Sequence, residues 1–333
     1  MSRETLEHLN TQTLIGYADK RGHAWHYRKA AQGAESNHYN GAIPVEDVRR
    51  RLLNWEAIEG EITATALTPD GVLTYRDTER KAIMRSDNGR LLGIFKQGYK
   101  IHQFDEWLIQ NVETLLDADL AIGSAGLLKG GAVAWIQVEM EETITAPNGI
   151  EFRPFLTAAT SMDGSLATTY QTGAQVVVCD NTLSAALAEK VTRVKVKHSR
   201  HSLNKIQDVR DALDIVHGVA DDFIAQVDAL TAQVVTQDQW RAFVDAYSAG
   251  GESGRAKTIA ERKAGDLHRL WNHDERVAPW RGSAYGVVQA VNTYVHHLGT
   301  VRNVSRADRN AERAITGGAD ALDASTLALL ATV

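Results

Sequence analysis

The chain has 333 residues, of which 44% are hydrophobic and 23% charged, and its net charge is −6. This is an ordinary globular composition with length for one large or two medium domains. The single cysteine, Cys179, excludes an internal disulfide and favours a reducing compartment, and no run approaches the roughly 20 apolar residues of a spanning helix. We therefore expect a cytoplasmic, non-membrane protein. The net negative charge argues against a protein that coats nucleic acid with its whole surface.

Residues 1–43 are polar and lack apolar periodicity, which predicts a loosely packed N-terminal arm. Pro44 and two acidic residues after it open a short helix that is predicted to end near Trp55.

Short β-type runs from residue 60 to residue 95 alternate with turn signals at Pro69-Asp70-Gly71 and Asp87-Asn88-Gly89, and they predict a small meander. Apolar residues at helical spacing in 103–116 predict an amphipathic helix against that sheet.

Residues 123–172 carry the clearest β pattern, with three predicted antiparallel strands at 132–140, 152–159 and 166–170. Glycines at its start are predicted to form a bulge or a tight strand entry, because a glycine has no Cβ to block close backbone approach. Asp180-Asn181-Thr182 resembles a helix N-cap, and the apolar spacing continues to Val191. The predicted core is therefore β-β-β-α.

The rest of the chain is almost entirely helical in pattern, with a flexible break at residues 250–254. We predict an α+β fold: an antiparallel β-meander with a covering helix, followed by a mostly helical C-terminal region. The predicted regions are an arm (1–43), an α+β core domain (44–202) and a helical region (203–333).

The strongest local anomaly of the sequence is the acid-free segment 190–207. Its cations include Lys190, Arg193, Lys195, Lys197 and Arg200. If residues 192–197 are extended, alternate cations project from one face in a line suited to phosphates. The other interpretation is a solvent-exposed edge strand whose lysines prevent pairing with another strand. We weigh these two interpretations about equally.

A second basic stripe, Arg302, Arg306, Arg309 and Arg313, has spacings that place all four residues on one helical face. Because acids flank it, a salt-bridged surface helix is the favoured interpretation, and an inter-subunit contact is the next.

Aromatic and basic residues interleave in Trp25-His26-Tyr27-Arg28-Lys29 and in the segment 95–100. In the latter, Tyr99 could stack on a base while Lys96 and Lys100 hold the backbone. Packing of these rings in the core or at a strand edge is the alternative.

Neither a metal site nor a catalytic motif is recognisable in the sequence. The histidine pairs lack partner ligands at known spacing, and we predict no cofactor, no metal and no enzymatic activity. An unfamiliar enzyme site would need Cys179, Asp180, Asn181 and His198 to gather in one pocket.

Several segments resemble the phage- and plasmid-encoded proteins that share the DUF932 domain of unknown function. The resemblance lies in Arg153-Pro154-Phe155-Leu156, the element Cys179-Asp180-Asn181-Thr182-Leu183, Pro279-Trp280 and residues 290–294, and it spans roughly residues 99–298. It implies a mobile-element origin and host cytoplasm. The order of the core elements is also similar to that of Rad52-type annealing proteins, which form rings on single-stranded DNA.

The leading hypothesis is a homo-oligomeric protein, a ring or a filament, that binds or anneals single-stranded DNA in recombination or replication. The second hypothesis is a protein-interaction module that binds a host protein through its aromatic-rich C-terminal helices, without nucleic-acid binding.

Overall fold

The computed structural model contains two compact units, each assembled from three chain segments. Unit 1 comprises Met1–Glu141, Leu156–Gln171 and Arg193–Asp214, and unit 2 comprises Glu142–Phe155, Thr172–Thr192 and Ile215–Val333. The sequence divided the chain into three consecutive regions, whereas the observed units interleave their segments.

The structure describes residues 10–21, 27–116, 120–140, 143–176, 182–183, 193–196, 214–250, 254–302, 306, 309–310, 313 and 318–333. For residues 20–21, 171–176, 182–183, 193–196, 214–222 and 320 the description covers the backbone alone.

Strands dominate the first half of the chain. In chain order they are β1 (Thr13–Ile15), β2 (Ala57–Thr68), β3 (Gly71–Arg85), β4 (Leu91–Lys96), β5 (Leu120–Leu128), β6 (Val133–Met140), β7 (Ile144–Thr145), β8 (Glu151–Ser161), β9 (Thr168–Val176), β10 (Thr182–Leu183) and β11 (Arg193–Val196). They form two antiparallel sheets. The larger has the order β1-β5-β6-β8-β9-β10, with β11 also on β9 and β7 on β8, and the smaller has the order β2-β3-β4.

The helices are α1 (Ala18–Arg21), α2 (Val45–Leu52), α3 (Gln110–Glu113), α4 (Asp214–Ala232), α5 (Gln237–Ser248), α6 (Gly254–His273), α7 (Ala284–Thr293) and α8 (Gly318–Leu330). A π-helical turn at Asp105–Ile109 leads into α3, and another at Tyr294–Leu298 follows α7. In none of the described ranges does a helix combine the length and apolar character needed to cross a membrane.

The α+β class, the meander of β2 to β4 and the helical C-terminal region are confirmed by the structure. The predicted glycine irregularity is also present. The pairing of β5 with β6 shifts register between Ile122 and Ser124, and the buried Glu139 side chain lies where a Cβ on Gly123 would point.

Two predictions differ from the structure. The N-terminal region is not loosely packed throughout, because β1 pairs with β5 and the side chains of Leu14 and Tyr17 are buried. The helix expected from Asp180 onward does not begin at Thr182 and Leu183, which form β10 against β9, and residues 184–192 lie outside the described part.

Unit 2 has an aromatic core. Trp240 and Trp271 stack with their ring centroids 4.1 Å apart, and Phe243 and Tyr285 are also buried. The sequence assigned the aromatic residues of these helices to a contact surface. That assignment is wrong for these four side chains, because burying them removes a large apolar area from water.

Candidate nucleic-acid interface

The acid-free basic segment is described only over β11. Arg193 lies opposite Gln171 and Val196 opposite Thr168, so the predicted extended conformation is present across these four residues. Lys190, Lys197 and Arg200 lie outside the described residues.

The strand β11 lies beside one edge of β9. Strand β10 pairs with the same strand further along, at Ala174 and Gln175. Among the described strands, β11 pairs only with β9. Arg193 and Lys195 therefore belong to an edge strand, the location in which basic residues serve either to bind a ligand or to prevent pairing with another strand.

The second predicted segment forms a compact aromatic turn at the end of β4. The rings of Phe95 and Tyr99 stack at 3.9 Å with an angle of 12° between their planes, and the Tyr99 amide donates to the carbonyl of Lys96 at 3.0 Å. Phe95 thus covers one face of Tyr99. We call this stacked ring pair the platform.

The turn between β8 and β9 supports this platform. A Cβ on Gly164 would lie 3.1 Å from the Phe95 ring, so the glycine allows the ring to sit directly over the turn. Lys129, from the turn between β5 and β6, donates to the Ser165 hydroxyl at 3.2 Å and approaches the Asp163 carboxylate at 3.6 Å. We call Phe95, Lys96, Tyr99, Lys100 and Lys129 the aromatic–lysine cluster.

The electrostatics of the turn hold Asp163 ionised. Burial acts to raise the pKa of Asp163, but hydrogen bonds from Ser165 and the charge of Lys129 hold that pKa below its usual range. Burial, and the charge of Asp163, raise the pKa of the Tyr99 phenol to about 12. Tyr99 is therefore neutral at physiological pH and presents an uncharged ring.

Three exposed cations accompany this platform: Lys96 and Lys100 directly follow Phe95 and Tyr99 in the chain, and Arg90 precedes β4. None of the three forms an ion pair with any residue that the structure describes, whereas Lys129 approaches Asp163. Arg90 lies over the turn between β5 and β6, where a Cβ on Gly130 would overlap its guanidinium group.

Both predicted basic segments lie near the same end of the large sheet. Val196, the last residue of β11, lies opposite Thr168, the first residue of β9. Thr168 is four residues beyond Gly164, so it lies at most about 14 Å from the glycine that supports Phe95. The edge strand therefore runs toward the aromatic–lysine cluster.

The sequence missed three members of this arrangement: Lys129, Arg90 and Asp163. Residues 163–165 lie between two predicted strands, and nothing in the spacing of residues 90 and 129 indicates that their side chains lie near that segment. The one available signal was the pair of glycines after Lys129, which allow its turn to adopt three successive positive φ angles, from Lys129 to Gly131.

The other aromatic–basic segment is described in part. The Tyr27 ring contacts the His38 ring edge-on at 4.6 Å, and Arg28 donates to its neighbour's carbonyl. Trp25 and His26 lie outside the described residues.

In the arginine stripe of the C-terminal region, Arg302 is exposed, whereas Arg306, Arg309 and Arg313 are partly buried. Arg309 donates to the Val295 carbonyl and to Asn310, and burial together with the charges of Arg313 and Arg306 lowers its pKa. Asp308 and Glu312, the acids expected to pair with the stripe, lie outside the described residues, as do Cys179, Asp180, Asn181 and His198 of the enzyme hypothesis.

A comparison with protein-family models matches residues 91–316 to the family described as "Domain of unknown function (DUF932)". Comparison with curated proteins and with solved structures finds no significant match. The matched range covers more than half of the chain and includes Phe95, Tyr99, Lys129 and β11. The chain is therefore a member of the DUF932 family.

Proposed function

We propose that the protein binds single-stranded DNA at the end of the large sheet where β11 and the aromatic–lysine cluster approach each other. The observation that supports this most is the stacked pair Phe95 and Tyr99, in which each ring is followed in the chain by an exposed lysine, Lys96 or Lys100, that forms no ion pair with a described residue. Stacking on an aromatic ring and neutralisation of phosphates are the two interactions that bind a single strand without reading its sequence.

The role proposed for the binding is strand annealing in the recombination or replication of a phage or another mobile element, by a homo-oligomer. In this proposal, Arg193 and Lys195 on β11 contact the phosphates, with Lys190, Lys197 and Arg200 continuing the strip. Tyr99 stacks on a base, and Lys96 and Lys100 hold the neighbouring phosphates. The local charge is compatible with the net charge of −6, because binding needs a cationic strip rather than a cationic molecule.

Equilibrium binding to fluorescently labelled oligonucleotides tests the proposal. Wild-type protein is expected to bind a single-stranded oligonucleotide at low salt and to bind a duplex of the same sequence more weakly, because stacked bases in a duplex cannot reach the Tyr99 ring. Absence of binding at low salt would remove the proposal.

The site is tested by the double substitution Lys96→Glu and Lys100→Glu. Its matched control, Arg255→Glu and Lys257→Glu, makes the same change of charge at exposed positions of α6 in unit 2. We expect the first variant to bind at least tenfold more weakly and the control to change much less. Equal effects would mean that only net charge matters, and would contradict the assigned site.

A protein that binds a host protein and no nucleic acid is the alternative function. The exposed apolar hairpin described below is the observation that favours a protein contact. Capture of a host protein that survives nuclease treatment, together with a failed oligonucleotide titration, would support that alternative.

A further inference from the structure

The hairpin of β2 and β3 extends well beyond the sheet that anchors it. Strand β4 pairs with β3 only over residues 80–84, whereas β2 and β3 pair with each other out to Thr68 and Gly71. Residues 61–77 therefore form a two-stranded ribbon. We call this ribbon the arm; it is distinct from the N-terminal arm predicted for residues 1–43. A two-stranded ribbon is only marginally stable by itself in water, so an arm of this length gains from being covered.

The two faces of the arm differ in polarity. Residues paired across an antiparallel ladder lie on the same face, so Ala64 with Tyr75 and Ala66 with Leu73 form one apolar face. The opposite face carries Thr65 with Thr74 and an ion pair between Arg76 and Glu61, with Leu67 and Val72 at the tip.

The apolar face continues onto the base of the sheet. Even-numbered residues of β2 lie on one side, which places Ile58 on the same face as Ala64, and Leu91 and Ile94 of β4 lie beside it. The exposed fractions of the large side chains on this face are Ile58 41%, Leu73 64%, Tyr75 64%, Leu91 53% and Ile94 48%. All five are at least 41% exposed, so they supply the apolar centre that an interface of ordinary size, about 800 Å² on each partner, requires.

Over the arm itself, the charge argues against a polyanion as the molecule that covers this face, although the cations Arg80 and Lys96 lie opposite each other where the face reaches the base of the sheet. Residues 59–79 include five acids and one base, Arg76. The acids leave the centre of the apolar face free: Glu59 and Glu61 are at odd positions of β2, and Asp77 at its end accepts hydrogen bonds from the amides of Glu79 and Arg80. An uncharged apolar centre fits another protein surface of the same kind.

The shape of the face fits a second copy of itself. In each central pair a small residue lies opposite a large one, Ala64 opposite Tyr75 and Ala66 opposite Leu73. One strand therefore forms a groove and the other a ridge. A two-fold axis places the ridge of each copy in the groove of the other, which is the condition for an isologous contact.

We propose that the apolar face of the arm and its base is the surface through which two copies of this chain associate. This inference rests on the homo-oligomer named in the proposed function and assigns a surface to it. A two-fold contact closes at two copies, so a ring or a filament would need a second, different surface.

The experiment measures molar mass in solution, without nucleic acid, by size-exclusion chromatography with light scattering. The test variant is Leu73→Lys with Tyr75→Lys, and the matched control is Thr65→Lys with Thr74→Lys, which adds the same charge to the other face of the same strands. We expect a dimer or a multiple of it for wild type and control, and at least a tenfold weaker association for the test variant. A wild type that stays monomeric at micromolar concentration, or a test variant that associates like wild type, would overturn the inference.

A second variant, Leu73→Thr with Tyr75→Thr, removes apolar area but keeps residues that favour strands. It distinguishes a lost contact from misfolding of the arm. Its circular dichroism should match wild type while its association weakens, and association at wild-type strength would overturn the inference. Since this assay contains no DNA, a failure here leaves the oligonucleotide result standing. Conversely, loss of DNA binding in Lys96→Glu with Lys100→Glu at unchanged molar mass concerns the proposed function alone.

Discussion

At the scale of single residues, the candidate interface depends on how Tyr99 is held. The sequence predicted an aromatic ring beside lysines, and that much follows from the order of residues in the segment. It could not predict that Phe95 covers one ring face, because the stack depends on Gly164, which is distant in sequence and leaves space under the Phe95 ring. A contact of this kind becomes visible only when two turns meet in space.

The phenol of Tyr99 should lose its proton only at an unusually high pH. Its pKa of about 12 in the folded state exceeds the ordinary value of 10.0, because burial and Asp163 disfavour the phenolate. The stabilisation from the neutral phenol is thus complete below about pH 10 and disappears as the pH rises through about 12. In ultraviolet difference titrations, Tyr99→Phe should remove a step near pH 12. Loss of a step near pH 10 would contradict the described environment.

Gly123 should tolerate no side chain. A Cβ there would overlap the Glu139 carboxylate, and Glu139 is buried. We expect Gly123→Ala to lower the free energy of unfolding by about 1–3 kcal/mol, the usual cost of overpacking. Chemical denaturation measures this, with Gly98→Ala as control, since a Cβ there has no atom within 4 Å. Equal stabilities of the two variants would contradict the packing at the bulge.

At the scale of elements, the residues of a turn predicted the local structure reliably, whereas the pairing of distant segments could not be predicted from the sequence. The Pro69-Asp70-Gly71 turn predicted its hairpin correctly, because the turn residues themselves favour that geometry. Thr182 and Leu183 were assigned to a helix because Asp180 and Asn181 resemble a cap, yet they pair with β9. Strand β1 was missed because three residues show no periodicity and its partner β5 lies more than a hundred residues away.

The start of α5 is fixed by a capping box. The Thr236 hydroxyl accepts from the Gln239 amide at 3.2 Å, and the Gln239 side chain accepts from the Thr236 amide at 3.0 Å. We expect Thr236→Ala to cost about 1 kcal/mol in unfolding free energy, and Thr236→Ser to retain most of it. Thermal or chemical denaturation of both variants measures the difference. A serine variant as unstable as the alanine variant would contradict the capping role.

The base of the arm is shaped by Asp77. Its carboxylate accepts from the amides of Glu79 and Arg80 and from the Arg80 side chain, where the register of β2 and β3 shifts. We expect Asp77→Ala to loosen the arm while the sheet base stays ordered. Hydrogen exchange should then accelerate at residues 62–66 and remain unchanged at Ile83. Unchanged exchange in the arm would contradict this role of Asp77.

At the scale of the whole molecule, two surfaces of unit 1 carry separate proposals. The aromatic–lysine cluster, with β11, is proposed to bind a nucleic-acid strand, and the apolar face of the arm is proposed to bind a second copy. The α+β class and the family were within reach of the sequence, because they depend on local patterns and on motifs such as Arg153-Pro154-Phe155-Leu156. The approach of β11 to Phe95 was not, because it depends on the register of β11 against β9.

The most direct test of the central claim is the salt dependence of oligonucleotide affinity. For wild type, the logarithm of the binding constant should fall linearly with the logarithm of salt concentration, because each neutralised phosphate releases counterions. Lys96→Glu with Lys100→Glu should reduce the slope by about 0.7 for each phosphate that the variant no longer neutralises, while Arg255→Glu with Lys257→Glu should keep the wild-type slope. A wild-type affinity that does not change with salt, or a slope that the first variant leaves unchanged, would contradict the account.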